Sequence, residues 1–129
     1  MQRVTGLGGI FFKSNDPKKI REWYRTHLGI DAAEDGAVFR WRDIDEPERT
    51  GSTVWSAFPT ETKYFAPSDK PFMINYRVKD LKALLDELRK EGVTVVGQIE
   101  EYDYGKFGWI LDPEGNKIEL WEPVNTTTP

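Results

Sequence analysis

The chain has 129 residues and a net charge of −4 at pH 7, with 38% hydrophobic and 31% charged residues. This length and balance predict one soluble globular domain with its own core and exclude a disordered chain. The mild negative charge, without a basic cluster, argues against a nucleic-acid partner. The absence of cysteine excludes a disulfide framework, a thiolate nucleophile and a zinc–thiolate site.

The N-terminal sequence MQRVTGLGG lacks the apolar core of a signal peptide, and no segment is long and apolar enough to span a bilayer. We therefore expect a cytoplasmic protein with no membrane partner. The GLGG run is interpreted as flexible backbone in a leader over residues 1–8, because a strand follows it. A phosphate loop would require a helix at that point.

The first half of the chain predicts a strand, a helix and three further strands. The strand over residues 9–14 precedes Asp16, which suits a helix cap, and Pro17, which suits the first helical turn. Gly29 ends the helix. The three strands that follow are predicted over residues 31–34, 37–42 and 52–58.

After a connector over residues 60–70, the same order of elements occurs again. Residues 72–78 form a strand, Asp80 caps a helix with leucines at helical spacing, and Gly92 ends that helix. Three more strands are predicted over residues 93–99, 107–111 and 117–122. An internal repeat of this kind is a stronger indication of architecture than any single element.

The repeat predicts an α+β fold, as a single domain over residues 1–129. Module one covers about residues 5–65 and module two about residues 70–124, each with the order βαβββ. Two such modules bury most surface by pairing their curved mixed sheets into a cup, with the helices outside.

Glu119 lies in the last predicted strand, between two apolar residues. Side chains alternate across a strand, so Glu119 faces away from Ile118 and Leu120. Alternation alone is compatible with a solvated glutamate or with one inside the cup, and the two-module architecture favours the inside. We predict that Glu119 is the catalytic or ligand-binding acid.

The same alternation predicts which other side chains line the cup. The predicted cup is aromatic with a few polar groups, which is typical of a small-molecule site, although small closed sheets also fill themselves with such side chains. The predicted ligand-binding residues are Phe11, Trp55, Met73, Asn75, Arg77, Trp109 and Trp121.

The repeat, together with DPEGN at residues 112–116 and IEL at residues 118–120, resembles the vicinal oxygen chelate superfamily. This superfamily includes glyoxalase I, bleomycin-resistance proteins and extradiol dioxygenases. The resemblance implies a cup with the site inside and, in metal-dependent members, four ligand positions, which fall here near Gly9, Trp55, Met73 and Glu119. Of these, only a glutamate suits a hard or borderline divalent metal. We therefore predict no metal and no cofactor.

These observations favour a glyoxalase/bleomycin-resistance-like protein that binds a small aromatic or cationic molecule in its cup without a metal. The resemblance also implies a homodimer. The alternative is a lyase, isomerase or dioxygenase of the same superfamily, in which Glu119 serves as a metal ligand or as an acid/base. A structural or partner-binding domain is a third possibility, and the sequence does not identify the ligand.

Overall fold

A computed structural model of the protein describes residues 3–124. The strands form one mixed sheet with the order β2-β3-β1-β4-β7-β6-β5, which confirms the α+β class. Within the described residues, neither helix has the length and apolar character needed to cross a bilayer. The elements are β1 (Val4–Ser14), α1 (Pro17–Leu28), β2 (Ala37–Arg42), β3 (Thr50–Pro59), β4 (Phe72–Val78), α2 (Leu81–Lys90), β5 (Val95–Tyr102), β6 (Gly105–Leu111) and β7 (Lys117–Pro123).

The two modules share one rule of strand pairing. In each module the first strand pairs in parallel with the last, β1 with β3 and β4 with β7. The modules then join through β1 and β4, which run antiparallel with Ile10 opposite Ile74. This central pairing makes one continuous sheet, and it places the first and last strands of both modules around the middle of the cup.

Both predicted helix starts are present. The Asp16 side chain accepts a hydrogen bond from the Lys19 N–H at 3.1 Å, and Asp80 accepts one from the Ala83 N–H at 3.1 Å. These caps satisfy backbone donors that have no partner within the helix. At the other end of α1, Gly29 adopts the left-handed conformation with φ of 69°, as a terminating glycine does.

The predicted strand over residues 31–34 was wrong. The structure has only an isolated bridge there, between Ala33 and Gly36. The segment reverses tightly, with Gly36 at φ of 105°, so its backbone groups bond to each other and not to a neighbouring strand. Module one therefore has three strands, and β2 is an edge strand.

Two segments that were not predicted as strands belong to strands. The first strand begins at Val4, because its GLGG run pairs with β4 through two register shifts. The acidic segment before β6 also pairs: Glu100 lies opposite Phe107, and the chain turns only at residues 103–104. The glycines of the GLGG run permit bulges within a strand, and the β5–β6 hairpin has few turn residues. For these two reasons, residue propensities alone do not indicate strands here.

The core has two parts, one on each face of the sheet. The helix-side cluster contains Leu81, Leu84 and Leu85 of α2 with Val78 and Leu120. The cup-side cluster contains Phe11, Phe65, Met73, Phe107 and Trp109. Leu120, next to Glu119 in β7, faces the helices, and Trp109, opposite Glu119 in β6, faces the cup. Glu119 therefore lies on the cup side.

Candidate functional site

Glu119 is the centre of the polar groups inside the cup, with only 2% of its surface exposed. Its Oε1 accepts a hydrogen bond from Asn75 Nδ2 at 2.6 Å. Its Oε2 accepts one from Trp109 Nε1 at 2.9 Å and another from the Tyr64 hydroxyl. Among the described residues, no arginine or lysine forms a salt bridge with it. The carboxylate is therefore held by neutral donors.

Strand register brings two of these donors to Glu119. Asn75 lies directly opposite Glu119 in the β4–β7 pair, and Trp109 lies opposite it in the β6–β7 pair. Residues that face each other across neighbouring strands share one side of the sheet, so their side chains meet. The structure thus brings together three of the residues that the sequence analysis placed in the cup, and their part in ligand binding stays a prediction.

Tyr64 reaches the site from the connector between the modules. Its neighbour Phe65 is completely buried in the cup-side cluster. Burial raises the pKa of the Tyr64 phenol well above its usual range, and the nearby Glu119 carboxylate raises it further. Tyr64 is therefore a neutral hydrogen-bond donor. An aromatic pair inside a polar connector was the only sequence signal for it.

Lys117 is buried two residues before Glu119, on the same face of β7. Its Nζ donates to the Tyr64 carbonyl oxygen at 2.7 Å and lies 5.4 Å from the ring centres of both Tyr64 and Trp109. Burial lowers the pKa of Lys117, while Glu119 and Glu100 oppose that shift. The lysine thus links the connector between the modules to β7 at one end of the cup. The sequence analysis did not predict this role.

Asn75 is 1% exposed, so the protein encloses its amide. Its Nδ2 is used by Glu119, while its Oδ1 has no hydrogen-bond partner among the described residues. A Cβ atom added to Gly8 would lie 2.0 Å from that Oδ1, so any larger residue at position 8 would collide with the amide. Gly8 of the GLGG run therefore provides the space into which the Asn75 side chain fits.

A cavity of about 230 Å³ lies above Glu119. No lysine or arginine of residues 3–124 lines it, and Asp35, from the turn before β2, supplies a second carboxylate. Its aromatic lining consists of Phe11, Phe58, Tyr104, Phe107 and Trp121, and its other side-chain-bearing lining residues are Asp35, Val54, Ser56, Asn75 and Glu119. The lining is thus mainly apolar, and its two charged side chains, Asp35 and Glu119, are both carboxylates.

Arg77 lies beside this cavity, with its guanidinium between two tryptophans. Its Cζ is 5.3 Å from the ring centre of Trp41 and 4.9 Å from that of Trp121, and it donates to the Ser52 carbonyl oxygen at 3.2 Å. Partial burial lowers the pKa of Arg77. Trp121 lines the cavity above Glu119, whereas Arg77 and Trp41 line a wider groove of about 910 Å³.

The wider groove runs between residues 41–46 and the β5–β6 hairpin. Its lining includes five basic and five acidic side chains, so it shows no preference for either sign of charge. Glu119 does not line it. We therefore place the candidate chemistry in the smaller cavity.

The predicted position of Trp55 was wrong. In the β1–β3 register, Ile10 lies opposite Trp55 and Phe11 opposite Ser56. Trp55 packs on the helix side against Phe12 and Tyr24, with ring centres 5.2 Å and 4.9 Å away. Ser56 takes the expected cup position. Spacing from the repeat located this strand only to within one residue, and a shift of one residue exchanges the two faces.

The corrected positions do not fit a metal centre. The four positions are now Gly9, Ser56, Met73 and Glu119, which offer one carboxylate and one hydroxyl. Met73 is fully buried in the cup-side cluster and does not line the cavity. Within residues 3–124, no group of three or more histidine, cysteine, aspartate or glutamate side chains could hold a metal ion. A divalent metal usually requires more ligands than this set supplies.

Comparisons with solved structures show the same fold at low identity. Methylmalonyl-CoA epimerase from Mycobacterium tuberculosis is 22% identical, with a TM-score of 0.63 over 97% of this chain and 92% of that chain. A Streptomyces coelicolor methylmalonyl-CoA epimerase variant, in complex with 2-nitronate-propionyl-CoA, is 18% identical, with a TM-score of 0.69 over 98% and 99%.

The Mn(II)-bound glyoxalase from Novosphingobium aromaticivorans is 15% identical, with a TM-score of 0.62. The match covers 95% of this chain but only 40% of that one. No curated protein matches the chain. The family model of the glyoxalase/bleomycin resistance protein/dioxygenase superfamily matches residues 7–120, which is most of the chain. The expected resemblance is thereby confirmed: the chain belongs to the glyoxalase/bleomycin resistance protein/dioxygenase superfamily.

Proposed function

We propose that the protein binds a small aromatic or cationic molecule in the cavity above Glu119, without a metal. One observation carries the proposal: a buried carboxylate, which among the described residues is paired only with neutral donors, lies at an aromatic cavity that none of their basic side chains line. Aromatic faces and a carboxylate both attract a cation, and an apolar cavity with few polar groups suits a small ligand. Asp35 adds negative charge to the same cavity.

The ligand classes of the related structures suit this cavity poorly. Two of the epimerase structures hold acyl-CoA ligands, and one of these is methylmalonyl-CoA, whose acyl group carries a carboxylate. In this chain, Glu119 and Asp35 would repel such a group. Among the described residues, no basic side chain lines the cavity and no set of metal ligands is present to offset that repulsion. We therefore do not extend that substrate class to this protein.

A second candidate is an enzyme in which Glu119 transfers a proton. The observation that favours it is the hydrogen bond from Tyr64, because a carboxylate and a neutral phenol side by side could serve as base and acid. Lyase or isomerase chemistry would suit this pair, whereas a dioxygenase would need the metal ligands that the described residues lack. Recovery of a bound molecule in chemically altered form would favour this candidate.

The proposal is tested with four probes of similar size: benzylammonium, benzyltrimethylammonium, benzyl alcohol and benzoate. We expect at least one cation to bind more tightly than benzoate, by about tenfold or more, in titration calorimetry. Binding should survive treatment with a chelator, and elemental analysis should find no stoichiometric nickel, zinc, iron or manganese. Tighter binding of benzoate, or binding that requires an added metal, would contradict the proposal.

A homodimer is part of the same proposal. Strand β2 is an edge of the sheet, and its Val38 and Phe39 are 59% and 47% exposed, so a second copy could cover an apolar edge. We expect sedimentation at tens of micromolar to show a dimer, since an interface of ordinary affinity is populated there. A monomer at all concentrations would exclude this part of the proposal.

A further inference from the structure

Three side-chain donors around Glu119 are already bonded to it. The Tyr64 hydroxyl, Trp109 Nε1 and one N–H of Asn75 Nδ2 all donate to Glu119. The Trp121 indole N–H donates to the Tyr104 carbonyl oxygen at 3.0 Å. A ligand that needs to accept a hydrogen bond from Tyr64, Trp109 or Trp121 would therefore have to displace an existing one.

The acceptors at the same place are not all used. Glu119 Oε2 has two donors, but Oε1 has only Asn75 Nδ2, and a carboxylate oxygen can accept two hydrogen bonds. Asn75 Oδ1 has no partner among residues 3–124. A buried acceptor of this kind calls for a donor that the protein itself does not supply.

Rotating the Asn75 amide by half a turn would not remove this excess of hydrogen-bond acceptors. Rotation would place Oδ1 against Glu119 Oε1, and two acceptors would then face each other without a proton between them. The space that Gly8 leaves, where a Cβ would lie 2.0 Å from Oδ1, allows the present orientation. Glu119 Oε1 and Asn75 Oδ1 are therefore neighbouring buried acceptors that can each take a further hydrogen bond.

We infer, on the basis of the proposed function, that the ligand is a protonated primary amine or an amidinium that donates N–H hydrogen bonds to Glu119 Oε1 and Asn75 Oδ1. Its remaining atoms would contact the aromatic walls. A quaternary ammonium would gain the same attraction to the rings but has no N–H group. It would leave Asn75 Oδ1 without a partner and Glu119 Oε1 with only the Asn75 N–H, which is unfavourable.

The experiment compares benzylammonium and benzamidinium with benzyltrimethylammonium on the full chain by titration calorimetry. We expect both N–H donors to bind at least about tenfold more tightly than the quaternary probe. Equal or tighter binding of the quaternary probe would overturn this inference and leave the proposed function standing. Binding of none of these cations or of benzyl alcohol would overturn both.

Two variants test the part of Asn75. Gly8→Ala places a methyl group where Oδ1 now lies. Asn75→Leu removes the acceptor while keeping a similar volume. Either variant alone can test the inference if the other does not fold. Thermal denaturation shows which variants are folded. In a folded variant, the preference for benzylammonium over the quaternary probe should fall to within about threefold. An undiminished preference would overturn the inference.

Asp35→Asn is the matched control. Asp35 is an exposed residue at the same cavity, so its charge should affect both cations alike. We expect both affinities to fall by a similar factor, with the preference between the probes unchanged. A loss of that preference in Asp35→Asn would assign the selectivity to Asp35 and overturn the part given to Asn75.

Discussion

Replacing Phe65 by alanine is expected to lower the free energy of unfolding by about 3–5 kcal/mol, the usual cost of deleting a buried phenylalanine ring. Phe65 has no exposed surface, and its ring centre lies 5.2 Å from that of Phe58. It belongs to the cup-side cluster although it comes from the connector between the modules. The cup-side cluster around it can relax only partly into the hole that the deleted ring leaves. Unfolding in urea, followed by tryptophan fluorescence, measures the change.

Phe39→Ala is the matched control for this prediction. Phe39 is 47% exposed on the edge strand β2. In the monomer, at protein concentrations below those that populate the proposed dimer, the same chemical change should therefore cost less than about 1 kcal/mol. If the two variants lost similar free energies of unfolding, Phe65 would contribute no more to stability than an exposed phenylalanine. The connector would then not help to close the cup. Phe65→Ala should also weaken ligand binding, because the neighbouring Tyr64 is one of the three donors that hold Glu119.

Much of the architecture was predictable because its signals are local. Asp16 and Asp80 cap helices through contacts only three residues away, and these caps mark the two modules. The alternation of Ile118, Glu119 and Leu120 likewise needs only the period of a strand. Placing Glu119 inside the cup required one further step, which was to recognise that the modules repeat.

The features that the sequence did not predict depend on contacts between residues that are far apart in the chain. Trp55 was assigned to the wrong face because the repeat spacing did not determine the register of β3. Tyr64 lies 55 residues from Glu119, and nothing in the connector indicates which way its ring turns. The importance of Gly8 appears only when the Asn75 amide is seen to occupy the place of its missing Cβ.

Glu119→Gln is expected to weaken binding of benzylammonium by tenfold or more, about 1.4 kcal/mol, while the protein stays folded. Glutamine has the shape of glutamate, and its oxygen can still accept from Tyr64 and Trp109. Its new NH₂ group would then face Asn75 Nδ2, and two donors cannot bond to each other. The Asn75 amide should therefore turn, so that Oδ1 accepts from the glutamine.

The turned amide makes the expected result specific. The thermal midpoint should be unchanged or higher, because the number of buried groups without a partner does not rise and a buried charge is removed. The cation, however, loses both the carboxylate and the Asn75 acceptor, whereas binding of neutral benzyl alcohol should change much less. Glu114→Gln, at an exposed turn position, is the matched control and should leave every affinity unaltered. If Glu119→Gln bound benzylammonium as tightly as the parent protein, Glu119 would be a structural hydrogen-bond acceptor that joins β4, β6 and the connector, and the ligand's counter-charge would have to lie elsewhere.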